Sequence, residues 1–296
     1  MPRYTFTYGL FLVLWFGQLF LALVPSWSDG SYYDYGFIAP LALAFIFVTR
    51  WNEAGIEKTI IEERLLNLGK APLTWLLLIL LFLFLIPLRL IETVEPNWSG
   101  PLYIHGLISL GFVAYCQSRL FGFPGIRSFL PFAILLGLAI PLPSLIETSL
   151  ISGLTQRVTE VAAFSARWSG IPVTIAGDTL LLENIPLHVA EGCSGIRSFQ
   201  SSVFISFLLG ELLRLTLTRR IVLLLVGVTI AFVSNCIRVS YLVRYADEHG
   251  GENLNQLHDD TGMISLIATF ASLLLIAFLL SPKRKPSPQE NQLVED

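Results

Sequence analysis

Residues 72–91 read PLTWLLLILLFLFLIPLRLI and carry a single charge, Arg89. A helix rises about 1.5 Å per residue, so twenty such residues reach across the roughly 30 Å of a bilayer's hydrocarbon. A run this apolar has no place on the surface of a soluble domain, and it is not alone. Comparable runs lie near 6–24, 36–50, 102–118, 128–146, 197–214, 220–241 and 262–281, the second being short without its flanks. Only 14% of the 296 residues are charged and 54% are hydrophobic, against about 25% charged in soluble chains. The expected fold is an all-α integral membrane bundle of about eight transmembrane helices.

Arginine and lysine orient it. With the N-terminus in the cytoplasm, the inner segments hold Arg3, Arg50, Lys58, Arg64, Lys70, Arg119, Arg127, Arg214, Arg219, Arg220 and Lys283-Arg284-Lys285, 13 of the 19 basic residues. Positively charged short loops resist translocation, so both termini are expected inside. Pro2-Arg3 is a weak basic region with no small-residue cleavage site before Pro25, and the first run reads as a retained helix. The organisation is a membrane domain over 1–282 followed by a polar, proline-rich cytoplasmic tail at 283–296, expected to be disordered.

Two segments are not simple spans. Residues 52–69 place Ile56, Ile60, Ile61, Leu65 and Leu68 at roughly helical spacing among charges, as in a helix lying on the membrane or on the bundle. Residues 147–192 form the largest outer segment: an amphipathic helix to Trp168, then β-branched alternation around Gly177-Asp178, which predicts a small hairpin before the sixth main span.

That hairpin leads into EGCSGIRSF at 191–199. The topology brings three reactive groups to the same outer depth: Cys193 before the sixth span, Arg238 near the outer end of the seventh, and His258 just before the eighth. A thiolate is a strong nucleophile whose pKa a nearby cation lowers. Histidine exchanges protons near neutral pH, and arginine can hold a developing oxyanion. Asn235, one helical turn before Arg238, could orient it or bind substrate backbone. Ser194 and the flanking glycines permit close backbone approach, Asp259 could orient His258, and Arg197 is a further candidate for substrate binding or support.

Each group also has a plain reading. Cys193 could be a small packing residue, Arg238 and Arg197 could snorkel to the interface, and His105, His188 and His249 rival His258 on the same side. The three cysteines, 116, 193 and 236, cannot all pair within one chain, and Cys116 and Cys236 read as packing residues. A metal on Cys193, His258, Asp259 and Asp260 lacks a compact ligand pattern, so neither metal nor cofactor is expected. A transporter would place its polar groups near the midplane, whereas here they gather at one face.

Beyond single motifs, YYDYGFIAPLALAFIFVTRW (32–51), FAILLGLAIPLP (132–143), SGIPVTIAGDTLLLENIPLHVAEGCSGIRSF (169–199), NCIRV (235–239) and HDDTG (258–262) together resemble the exosortase/archaeosortase family of membrane-embedded cysteine transpeptidases, in its bacterial branch. The similarity covers roughly residues 30 to 280. It departs where the family's early segment usually reads Ser-His-Gly-Phe and this chain has Asp34-Tyr35-Gly36-Phe37. The resemblance implies Cys193 as nucleophile, Arg238 as stabilising cation and His258 as acid/base. It further implies exported protein substrates with a C-terminal motif (Pro-Glu-Pro-like), a helix and a basic tail, an acceptor nucleophile the sequence does not name, and a bacterial inner-membrane location. A cysteine hydrolase without transfer is the nearer alternative, and nucleic acid is not among the expected partners.

Overall fold

The computed structural model describes residues 3–28, 32–54, 56–183, 185–189, 191–251 and 253–281; the tail at 283–296 lies outside them. In chain order the helices are α1 (Arg3–Ser28), α2 (Ala39–Glu53), α3 (Lys58–Lys70), α4 (Pro72–Val94), α5 (Ser99–Phe121), α6 (Phe123–Ser128), α7 (Leu130–Ala139) and α8 (Ser144–Trp168). Strands β1 (Val173–Ala176), β2 (Thr179–Leu182) and β3 (Pro186–His188) follow, then α9 (Ile196–Leu212), α10 (Leu217–His249) and α11 (Leu254–Leu280). The chain is thus an all-α polytopic membrane protein with a small antiparallel sheet.

Five described helices are long and apolar enough to cross a bilayer: Tyr4–Ser28, Asp34–Glu53, Pro72–Val94, Leu217–His249 and Gln256–Leu280. A sixth crossing results if Phe123–Ala139 and Ser144–Trp168, bent by 72° at their junction, count as one. A count of eight would need α5 and α9 as well. Both are wrapped by protein, and buried polar groups such as His105, Ser109 and Gln117 in α5, and Gln200, Ser202 and Ser206 in α9, dilute their hydropathy.

The break after α7 has a local cause. Pro141 and Pro143 cannot continue a helix, so the fifth predicted span, 128–146, stops at Ala139. The carbonyls that the break strands are taken up by aromatic donors from the α1–α2 region. Trp27 Nε1 donates to Ala139 O at 3.0 Å and Tyr35 Oη to Leu138 O at 3.0 Å. Tyr33 Oη accepts the Leu142 N–H at 2.7 Å. Gly36 fits beneath the Trp27 indole, where a Cβ would lie 2.3 Å from Nε1. The YYDYGF segment therefore clamps the end of α7.

Helix α3 lies on the bundle rather than apart from it, burying Ile61, Leu65 and Leu68 with Phe112, Cys116 and Leu120 of α5. Its Glu62 accepts the Tyr4 and Thr5 N–H groups at 2.9 and 2.7 Å, capping the start of α1. At the opposite end of the bundle the hairpin forms as the alternation predicts, with Ala176 opposite Thr179 and Gly177 at φ 66°. A third strand pairs Leu180 with Leu187. An apolar cluster of Val158, Ala162 and Ala166 from α8, Leu180 from β2, Val189 just after β3, and Val239 and Val243 from α10 fixes this unit against the bundle. Cys193 belongs to the same cluster.

Candidate active site

Cys193 ends a short 3₁₀ turn, Glu191–Cys193, immediately before α9. The turn is held from α10. Asn235, 1% exposed, donates its Nδ2 to the Cys193 carbonyl at 2.7 Å, and Arg238 Nη2 donates to the Gly192 carbonyl at 3.0 Å. Residue 195 must be glycine for two reasons: its φ is +82°, and a Cβ would stand 2.7 Å from Asn235 Nδ2. Ser194 is buried, and its Oγ accepts the Ile196 N–H at 3.3 Å. Its place is within the turn, beneath the helix start.

The His258 ring approaches from the first turns of α11. A Cβ on Gly192 would lie 3.8 Å from its Cε1, so the imidazole adjoins the same turn whose Gly192 carbonyl Arg238 holds. Arg238 is packed so closely that a Cβ on Gly262 of α11 would meet Nη1 at 3.1 Å. Its Nε is buried with no acceptor among the described residues. Three elements, the 3₁₀ turn, α10 and α11, thus deliver the thiol, the guanidinium and the imidazole to one point.

The electrostatics follow from that convergence. Burial by itself raises the Cys193 pKa, but the hydrogen bond and charge of His258, then those of Arg238, outweigh it, and the net result is a lowered thiol pKa. His258 Nδ1 lies 3.3 Å from Asp259 Oδ1, although the Asp259 side chain is 85% exposed. Such a solvated contact orients the ring weakly.

Arg197 points elsewhere. Its Nε faces Asp34 Oδ2 at 3.5 Å, with both side chains about half exposed. The Asp34 that departs from the family pattern thus stands opposite an arginine of α9. The rival histidines separate from the site. His105 is buried against Glu92, Nδ1 to Oε1 at 3.0 Å, with Arg89 Nη1 on Oε2 at 2.7 Å. His249 stacks on Tyr245 with ring centroids 4.4 Å apart, and His188 faces Asp178 on the sheet. Cys236 is buried in the apolar cluster and Cys116 in the α3–α5 interface. Sequence reasoning missed the Glu92–His105 pair; its one signal was an acid at the end of a span facing a histidine at the start of the next. Among the described residues no group of three His, Cys, Asp or Glu side chains gathers as a metal site.

No curated protein and no solved structure matches the chain. The sequence model described as transmembrane exosortase (Exosortase_EpsH) matches residues 27–278, a stretch that takes in the α7 clamp, the hairpin, the Cys193 turn and both helices that close on it. By that match over most of its length, the chain belongs to the transmembrane exosortase family.

Proposed function

We propose that the chain is a membrane-embedded cysteine transpeptidase that cleaves the C-terminal sorting signal of exported proteins at Cys193. Family membership supports a membrane transpeptidase role in protein sorting. The single observation that carries the finer reading is the arrival of His258 and Arg238, from two different helices, at the Gly192–Cys193 turn that bears one buried thiol. The proposed setting is the bacterial inner membrane, with both termini cytoplasmic and the Cys193 turn on the periplasmic face.

In the proposed reaction the signal's helix docks against the bundle and presents the scissile peptide at the turn. The thiolate attacks the carbonyl carbon, and the oxygen that becomes negative is met by the Arg238 guanidinium. His258 protonates the leaving amine, the C–N bond breaks, and a thioester remains on Cys193. The acceptor then attacks the thioester, its proton passes to His258, and the C–S bond breaks to return the thiolate. Water in place of the acceptor gives hydrolysis.

The test is a sorting-signal peptide presented to the purified chain in nanodiscs, read by intact mass. The expected result is an acyl adduct on Cys193, release of the helix-plus-tail fragment, and ping-pong kinetics when acceptor is varied. Arg238→Gln should cost about 10²–10³-fold in turnover and His258→Gln about 10²–10⁴-fold. Cleavage by the Cys193→Ala protein would sink the mechanism. A product carrying only water, whatever acceptor is added, assigns the hydrolase reading instead.

A further inference from the structure

Helix α8 turns three different faces to its surroundings. Val158, Ala162 and Ala166 bury one of them in the apolar cluster shared with α10. Ser152, Gln156 and Glu160 belong to a second, which walls a polar cavity of about 1110 Å³. The third is a stripe of Ile146, Leu150, Leu154, Val161, Phe164 and Trp168, set three, four or seven residues apart and therefore on one side of the helix. Among the described residues nothing covers the far end of this stripe: Val161 is 40%, Phe164 66% and Trp168 85% exposed. Arg157 is the one charge on that side, and its Nη1 reaches Glu160 at 3.0 Å, toward the cavity flank.

The direction of the stripe decides what fits it. At 1.5 Å per residue it runs about 33 Å along α8. Phe123–Ala139, which holds most of the fifth predicted span, meets α8 at 72°, so the stripe lies closer to the membrane plane than to its normal. A partner's transmembrane helix would cross such a stripe over a turn or two and leave the rest in water. A lipid surface covers its whole length at once. The stripe ends on the Phe164 and Trp168 rings, with centroids 6.2 Å apart, and tryptophan favours the headgroup level of a bilayer. With a single paired arginine on this side, the contact is apolar rather than electrostatic.

We propose that α8 is a surface helix whose Ile146–Trp168 stripe is seated among the headgroups and upper acyl chains of the leaflet on the hairpin side, with its cavity flank toward water. The bent α7–α8 pair is then a crossing segment followed by an in-plane one. The seat bears on the site because α8 rests on the Glu191–Cys193 turn: lipid contact sets the height of Cys193 above the hydrocarbon. Neither statement depends on the transpeptidase reading.

The test places the fluorescent amino acid Anap at 161, 164 or 168 of the full chain, one position at a time, with 152 and 156 on the cavity flank as controls. Single copies are held in phosphatidylcholine nanodiscs with or without lipid bearing a nitroxide at the headgroup end of its acyl chain. Emission at the three stripe positions is expected to fall about twofold or more with the nitroxide lipid and to hold steady at the two controls. Unquenched stripe positions, or equal quenching around the helix, overturn the proposal, and three independent positions keep it testable if one variant does not fold. A stripe that the nitroxide leaves bright, and that is shielded from aqueous iodide only when a second copy or a transmembrane peptide is added, overturns it in favour of that partner. For the link to the site, bimane on Cys193 is quenched by the same lipid, and Phe164→Ser with Trp168→Ser should change that quenching about twofold. Unchanged quenching in the folded double variant overturns the link between the seat and the height of the thiol.

Discussion

At the scale of single residues, the site depends on where one thiol loses its proton. His258 and Arg238 lower the Cys193 pKa against the opposing effect of burial. A lowered pKa means thiolate persists at pH values where an ordinary cysteine is protonated. The half-rate pH for iodoacetamide alkylation of Cys193 should therefore lie below that of an ordinary cysteine, and His258→Gln or Arg238→Gln should move it upward. An unshifted profile in both variants would show that neither group charges the thiol. Gly195 is the second residue-scale test. Alanine there must adopt a left-handed conformation, costing about 1–2 kcal/mol, and its Cβ displaces the Asn235 amide from the Cys193 carbonyl. Gly195→Ala should lower the thermal midpoint in detergent and slow alkylation together.

At the scale of elements, the bundle is tied by charged groups that lipid would otherwise make costly. The Arg89–Glu92–His105 cluster joins α4 to α5, with both the Glu92 and His105 side chains essentially inaccessible. Removing one partner of a buried pair costs about 3–5 kcal/mol, so Glu92→Ala should destabilise the protein by that order, while Glu92→Gln, which keeps a hydrogen-bonding oxygen, should cost less. Thermal unfolding followed by tryptophan fluorescence checks both. The opposite end has its own tie: Glu211 of α9 is paired with Arg50 of α2 and Arg220 of α10. The GIRSF pentapeptide shows how little a short motif fixes at this scale. Its copy at 125–129 runs through α6, whereas at 195–199 its glycine N-caps α9 and its arginine meets Asp34.

At the scale of the molecule, the arrangement predicts one-sided chemistry. A membrane-impermeant maleimide should reach Cys193 only from the side that bears the hairpin, expected to be the periplasm, and equal labelling from both sides would overturn that orientation. Much of this was legible in the sequence, because apolar length, the bias of arginine and lysine and the hairpin alternation are local properties that survive any packing. The convergence of Cys193, Arg238 and His258 was legible too, since membrane crossing fixes depth before any contact forms. Depth does not fix rotation or lateral neighbours. Which face of α10 turns to the thiol, that Asn235 holds the turn by its carbonyl, that Arg197 turns to Asp34 and that α8 folds back at 72° to wall a polar cavity depend on side chains far apart in the chain meeting in space. The sequence by itself determined a membrane-embedded helical bundle with its reactive groups at one depth; only the tertiary structure decided which of them touch.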